Sequence, residues 1–299
     1  MILLLGASGY VGEAFQKFFK ENKIEYVCES GIRFPLDERE FEKTLQTHKV
    51  TSVFNCGGFT GKPNVDSCEL IENKIPAIQA NAFLPKQIAK VTTDLGIKLM
   101  QVSSGCIFND PKCEEGKEPT IQFSYKDSPN FTFLDKKHSW YSGTKHLGEN
   151  LLEGYSGVSI CRLRIPFNGE INPRNYLNKL INYEVLVNAT NSFSQLDEFV
   201  QACYNIDKRG MTGIFNVTQP GWMTTKEVVA LLKKYELIED KQYFKSIEDF
   251  ERIAKAPRSN CVLKSCSNPN SEVINLTPIE LAMEQAIIKY KENYERTSR

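Results

Sequence analysis

The chain opens with an unbroken apolar run, "MILLLG", and then changes rhythm to "GEAFQKFFKEN", whose apolar positions recur every three or four residues. The first pattern predicts a strand covered on both faces, the second an amphipathic helix. The alternation repeats. "KIEYVC" reads as strand, "DEREFEKTLQTH" as a helix with Phe41 and Leu45 inward, and "VTSVFNC" as a buried strand. "NKIPAIQANAFLPKQIAKVTTDLG" reads mostly as helix, with Pro76 and Pro85 at bends or first turns, since proline has no N–H to give. "IKLMQVSS" is strand-like, "WYSGTKHLGENLLEGY" helical and "VSICRLRI" strand-like again. Strands alternating with helices predict an α/β fold with a doubly wound parallel sheet. Such sheets bind ligands outside the carboxyl ends of their strands.

From about Pro166 the texture changes. "NPRNYLNKLINYE" predicts a short helix behind a loop, "MTGIFNVTQPG" a strand and turn, and "MTTKEVVALLKKYE" a helix with a threonine cap. "TPIELAMEQAIIKYKENYE" predicts a last helix. The division expected is 1–166 for the sheet domain and 167–299 for a smaller C-terminal substrate-binding lobe, with part of 190–212 returning to the first domain.

Charge and composition narrow the classes. Lysine plus arginine equals aspartate plus glutamate in these 299 residues, so no basic field holds nucleic acid or an anionic membrane surface. The apolar runs are too short to span a bilayer. The N-terminus reads as a first strand, not a signal peptide. Nine cysteines without a CxxC pair, and three histidines, suit a reduced cytoplasmic protein with free thiols and no metal site.

Four short stretches carry chemistry. "GASGYVG" sets Gly6, Gly9 and Gly12 between the first strand and first helix. That spacing allows a tight turn, close approach to a pyrophosphate and helix N–H groups aimed at it. It points to a Rossmann-type dinucleotide site with Gly6, Ser8, Gly9, Tyr10, Val11 and Gly12 as contacts. "FNCGG" ends the third strand with Cys56, Gly57 and Gly58, which suit either close packing on the cofactor or a plain strand-end turn. "YSGTK" puts Tyr141 and Lys145 four apart on one helix face, where an ammonium is expected to lower the phenol pKa. The other reading is a surface pair. "VSSGCIFND" ends the fourth strand with Ser104 and Cys106 two apart, on one side of extended chain.

Together these residues resemble the extended short-chain dehydrogenase/reductases. The resemblance implies Ser104 as the catalytic hydroxyl, with Ser103 as its competitor, Tyr141 as acid/base, and Lys145 as the holder of the nicotinamide ribose. "NCGGFTGKPNVDSCE", "GCIF", "SPNFT", "YSGTKHLGE", "NPRNYLNKLINYE", "QLDEFV", "MTGIFNVTQPG" and "APRSN" look like one branch of it. That branch is the bifunctional nucleotide-sugar 3,5-epimerase/4-reductases of L-rhamnose synthesis, best known from plants and some viruses. The likeness runs from Gly6 to about Asn260. More distantly the chain is similar to bacterial dTDP-4-dehydrorhamnose reductase, which normally has tyrosine at the position of Cys106.

The branch implies that Cys106 and Lys179 are the acid and base of epimerisation, in either order. Without it, Cys106 reads as a buried small side chain and Lys179 as a solvated one. It further implies a nucleotide-diphosphate 4-keto-6-deoxy sugar as substrate, supplied by a separate 4,6-dehydratase. Asn168, Arg174, Asn175 and Arg258 are expected near that substrate, since an arginine fork suits phosphate. Asn81 is expected near the cofactor. Cofactor choice rests on the end of the second strand. Ser30 and Arg33 would hold a 2′-phosphate and favour NADPH; Glu29 would bind a 2′-hydroxyl and favour NADH. NADPH is the expectation, as a biosynthetic reduction draws on it. Two rivals are a plain 4-ketoreductase and a non-catalytic NADP-binding regulatory subunit. A homodimer is expected, because the family commonly pairs through helices of the sheet domain.

Overall fold

A computed structural model describes residues 1–114, 116–265 and 274–297. Strands β1 (Ile2–Leu5), β2 (Tyr26–Glu29), β3 (Ser52–Asn55), β4 (Lys98–Ser104), β5 (Val158–Leu163) and β6 (Gly213–Asn216) form one sheet. Its order is β6-β5-β4-β3-β1-β2, and every neighbouring pair is parallel. The chain leaves β1 to one side for β2 and returns to the other for β3. That reversal opens a crevice at the carboxyl ends of β1 and β3, where sheets of this kind take ligands.

Helices cover both faces, which is why β1 is apolar throughout. On one face Phe15 and Phe19 of α1 (Tyr10–Glu21) pack with Phe54 of β3. The Phe15 and Phe54 rings meet edge-on at 5.4 Å. On the other face Phe41 and Leu45 of α2 (Glu38–Thr47) pack with Leu3, Val53 and Leu99. Burying each such side chain stabilises the fold by about 1.5–3 kcal/mol.

The proline-containing stretch forms α3 (Ile71–Ile78) and α4 (Leu84–Asp94), joined by a wider π-type turn over Gln79–Phe83. Pro85 falls in the first turn of α4, where a missing N–H costs least, whereas Pro76 lies inside α3. Helix α5 (Trp140–Leu151) starts at a reciprocal cap between Ser139 and Ser142.

The remaining helices are α6 (Tyr176–Asn182), α7 (Leu196–Lys208), α8 (Thr225–Lys234), α9 (Ile247–Glu251) and α10 (Ile279–Thr297). Thr224 caps α8, accepting the Glu227 N–H while Glu227 reaches back. A separate core joins Phe167, Leu177 and Leu180 to Val228, Leu232, Met283 and Ile287. The β structure around it comes in two-stranded pieces, such as Thr190–Asn191 with Met223–Thr224. Helix α7 packs with α1 through Phe199 and Phe15, and β6 is the edge strand beyond β5, so residues 196–216 belong structurally with the sheet. No helix among the described residues is long and apolar enough to cross a membrane.

Candidate active site

The last residues of β4 each meet α5. The Val102 carbonyl accepts from Lys145 Nζ at 3.2 Å. Ser103 Oγ donates to Glu149 Oε1 at 2.5 Å. Glu149 in turn takes the Arg162 guanidinium, with Nε 3.0 Å from Oε1 and Nη2 2.6 Å from Oε2. This ion pair is buried, and breaking such a pair by removing one partner typically costs about 3–5 kcal/mol. Ser104, one residue on, points to the other face. Its hydroxyl accepts the Cys106 N–H at 3.3 Å and hydrogen-bonds toward Tyr141. Ser103 thus has Glu149 as its partner, whereas Ser104 lies on the side of Cys106 and Tyr141.

The electrostatics differ from the expectation for a Tyr–Lys pair. Burial raises the Tyr141 phenol well above its ordinary value, with Cys106 and Cys68 adding, and the Ser104 hydrogen bond and Arg174 opposing. Loss of water around the ring outweighs any help from an ammonium. Burial therefore favours the protonated phenol. Burial lowers Lys145, against Cys106, Glu149 and Cys56. The Cys106 thiol is pushed up to about 11 by burial, opposed by the Ser104 hydrogen bond and by Arg164 and Lys145. Lys179, on α6, is lowered by burial and by the positive charges of Arg174 and Arg258. Arg174 thus acts on both Tyr141 and Lys179, which links the sheet side of the site to α6.

The glycine loop lies against the β3 loop. Gly6 has φ 74°, and a Cβ there would sit 2.5 Å from Gly57 N, so only glycine fits. No side chain caps the start of α1, which leaves its first-turn amides facing the crevice. Ser8 and Gly9 are exposed, and Val11 and Cys56 are half-buried against the core. A Cβ on Gly58 would meet Asn81 Oδ1 at 2.9 Å and Lys145 Nζ at 3.6 Å, so the ammonium sits beside this loop. Ser30 and Arg33 are exposed just beyond β2, and Glu29 is half-buried at its end. Tyr10 directs its hydroxyl to Asn168 Oδ1, 2.8 Å away.

Several polar candidates already have partners within the protein. Asn81 accepts from Phe59 N–H and donates to the Phe59 carbonyl and Thr144 Oγ1, so it pins the β3 loop to α5. Asn175 caps α6 and donates to the carbonyls of Asn168 and Glu170. Arg174 donates to Thr60 Oγ1 and the Gly61 carbonyl at 3.0 and 2.9 Å. Arg258 pairs with Asp66 at 2.8 Å and lies over the Phe250 ring. Arg174 and Arg258 thus tie the C-terminal part to the loop after β3. Trp140 fastens α5 to its neighbours through the Lys74 carbonyl and Glu69.

Cys68 is fully buried, and it is coupled electrostatically to Cys106 and to Tyr141. Among the described residues no group of histidine, cysteine and carboxylate side chains forms a metal cluster.

Residues 1–186 match the family model described as the RmlD substrate binding domain. The chain belongs to this family. It is 33% identical over 262 residues to the bifunctional dTDP-4-dehydrorhamnose 3,5-epimerase/dTDP-4-dehydrorhamnose reductase of Arabidopsis thaliana, covering 86% of this chain and 83% of that one. It is 34% identical over 290 residues to an Arabidopsis trifunctional UDP-glucose 4,6-dehydratase/UDP-4-keto-6-deoxy-D-glucose 3,5-epimerase/UDP-4-keto-L-rhamnose-reductase. That match covers 96% of this chain but only 41% of the relative, so the chain spans about two fifths of the trifunctional protein. Among solved structures it is similar to the L780 UDP-rhamnose synthase of Acanthamoeba polyphaga mimivirus, with TM-score 0.86 and 24% identity over 96% of this chain and 98% of that one. It is also similar to a Bacillus anthracis dTDP-4-dehydrorhamnose reductase in complex with NADP, with TM-score 0.78 and 16% identity over 96% and 98%. These likenesses establish the Rossmann-like fold. A dinucleotide fits the cradle here on structural grounds: an uncapped helix start, and a loop that a single Cβ would block.

Proposed function

We propose that this chain carries out 3,5-epimerisation and NADPH-dependent 4-reduction of a nucleotide-linked 4-keto-6-deoxyglucose, giving a UDP- or dTDP-linked L-rhamnose. The observation that supports the reading is that Arg174 acts electrostatically on both Tyr141 and Lys179. It relates two proposed sets of proton-transfer groups: Ser104, Tyr141 and Lys145 as the first, and Cys106 and Lys179 as the second. The bifunctional Arabidopsis relative supports the pairing of the two activities.

The glycine loop, the β3 loop and Lys145 would hold the dinucleotide, with Ser30 and Arg33 at its 2′-phosphate. When bound, the nicotinamide supplies hydride for C4. The 4-keto group makes the C3 and C5 hydrogens acidic. Lys179 is the base, because lowering its pKa favours the neutral amine. Cys106 is the acid, because raising its pKa keeps the thiol protonated. Lys179 removes a proton from one face, Ser104 and Tyr141 donate to the enolate oxygen, and Cys106 returns a proton to the other face. In the reduction Tyr141 gives its proton to O4, and Lys145 steadies the ribose and the phenol. Arg174 and Arg258 would meet the diphosphate, Arg258 by exchanging its Asp66 partner for phosphate oxygens. Asn168 and Asn175 hold the start of α6, and so Lys179, in place. We further divide the chain at 166/167 into a cofactor domain and a substrate lobe, with residues 196–216 returned to the first.

The test incubates pure protein with the UDP- and dTDP-4-keto-6-deoxyglucose substrates and NADPH, with product identified by NMR. An L-rhamnose nucleotide is the expected product. A D-configured 6-deoxyhexose supports a plain reductase instead, and no NADPH oxidation supports a binding subunit.

A further inference from the structure

Arg164 follows the last residue of β5. Leu163 pairs across the sheet with Ser104, so Arg164 emerges beside the turn that carries Cys106. It is 7% exposed. Its Nη2 donates to Asn191 Oδ1 and, at 2.6 Å, to the Ser259 carbonyl. Its Nε is buried with no hydrogen-bond partner, and no carboxylate pairs with it among the described residues. A buried guanidinium without a counter-charge is costly and calls for an anion. The next residue, Ile165, has φ 37°, an unfavourable conformation for a β-branched side chain, so the backbone bends sharply at this point.

The segment that Arg164 grips also encloses the Cys106 turn. Ser259 Oγ donates to the Phe108 carbonyl at 2.6 Å, and Cys261 Sγ to the Gly105 carbonyl at 3.3 Å. The groups acting on the Cys106 thiol are Ser104, Arg164, Lys145 and Cys261. Only two of these are cations. Lys145 is already assigned to cofactor and phenol, which leaves Arg164.

We propose that Arg164 is a positioning residue for the epimerisation step, its guanidinium holding the negative charge that Cys106 acquires on giving up its proton. As the S–H bond breaks, a C–H bond forms at C3 or C5 of the sugar, and the electron pair stays on sulfur. Arg164 stabilises that thiolate until solvent returns a proton. The same arginine, through Ser259, keeps the thiol turn closed. The inference rests on Cys106 being the acid of the proposed function.

The test compares Arg164→Met and Arg164→Lys with the parent. Iodoacetamide labelling of Cys106 against pH, read by peptide mass spectrometry, reports the thiolate. NMR reports solvent deuterium entering C3 and C5 of the keto sugar without reduced cofactor. Reduction of already epimerised substrate reports whether the site is otherwise intact. Arg164→Met is expected to move the labelling midpoint to higher pH and slow exchange about 10–100-fold, the range for losing one adjacent opposite charge. Reduction stays within about threefold of the parent, and Arg164→Lys recovers most of the exchange. An unchanged midpoint and exchange rate in Arg164→Met overturns the proposal. So does an equal loss of exchange and reduction with a raised KM, which assigns the guanidinium to the substrate's phosphates. If the methionine variant does not fold, the lysine variant decides alone: a midpoint kept near the parent's supports the charge role, and a midpoint moved upward despite the retained cation opposes it. Cys106→Ser run alongside separates the two levels. Exchange at the parent rate in that variant sinks the acid role of Cys106 itself, whereas lost exchange there with an unaffected Arg164→Met sinks only the role of Arg164.

Discussion

The two sides of the proposed site are built differently. Tyr141 and Lys145 stand on a twelve-residue helix that is hydrogen-bonded to β4 at two successive strand positions, Val102 and Ser103. That strand is an inner member of a six-stranded sheet with apolar cores on both faces. Lys179 stands on a seven-residue helix, and Arg258 on a loop; the β structure near them comes in two-stranded pieces. Groups on a rigid sheet hold their geometry at little cost, whereas groups on short elements depend on a few ties such as Arg174 to Thr60 and Arg258 to Asp66. In the proposed function, reduction draws its proton donor and hydroxyl from the rigid side alone. Epimerisation would need Cys106 from the sheet side and Lys179 from the other, and so would depend on how the two halves meet. The comparison predicts that the two proposed activities have different structural tolerances and that mutations separate them.

The largest effect is expected on the rigid side. Tyr141→Phe removes the proton for O4 and should slow reduction by about 10²–10⁴-fold while NADPH still binds, as followed by cofactor fluorescence. A variant turning over within about threefold of the parent removes Tyr141 from this role.

Across the proposed site, Lys179→Met should slow deuterium exchange at C3 or C5 by about 10²-fold, the lower end for general base catalysis. Reduction of pre-epimerised sugar should change little. The pH profile of exchange carries the sign. The amine works only when neutral, so exchange rises as pH climbs through the lowered pKa of Lys179. The thiol works only when protonated, so exchange falls again above about 11. A profile that falls with rising pH from neutrality contradicts a neutral-amine base at Lys179.

The smallest effect concerns the cofactor. Arg33→Ala should weaken NADPH binding about tenfold, as for one charge-assisted hydrogen bond, and leave NADH binding unchanged. A parent that prefers NADH, unaffected by the substitution, makes Glu29 the ribose ligand.

The alternating strands and helices of the first half were legible because each is a local pattern, and so were the tight turn at Gly6 and the shared helix of Tyr141 and Lys145, which follow from spacing of three or four residues. What was not legible depends on distant contacts. Nothing in "YSGTK" shows how deeply the phenol is buried, so the expected lowering of its pKa became a raising. Nothing near Asn81 in the sequence shows that its amide bonds Phe59 and Thr144. What sets Ser103 apart from Ser104 is Glu149, 46 positions away from Ser103, with Arg162 beyond it. Cys68 and Arg164 meet the Cys106 turn only through the fold, and strand β6 joined the sheet from a stretch whose texture belonged to the lobe.

The central claim is that one site separates proton transfer at carbon from proton transfer at oxygen, and Cys106→Ser tests it most directly. The measurement is NMR of the 4-keto sugar nucleotide in D₂O with enzyme and no reduced cofactor, followed by NADPH oxidation with already epimerised substrate. The account predicts loss of deuterium exchange at C3, C5 or both, because a hydroxyl is a far poorer proton donor than a thiol, with reduction of the epimerised sugar retained. Exchange at the parent rate at both carbons contradicts it, and leaves Cys106 as packing beside a reductase.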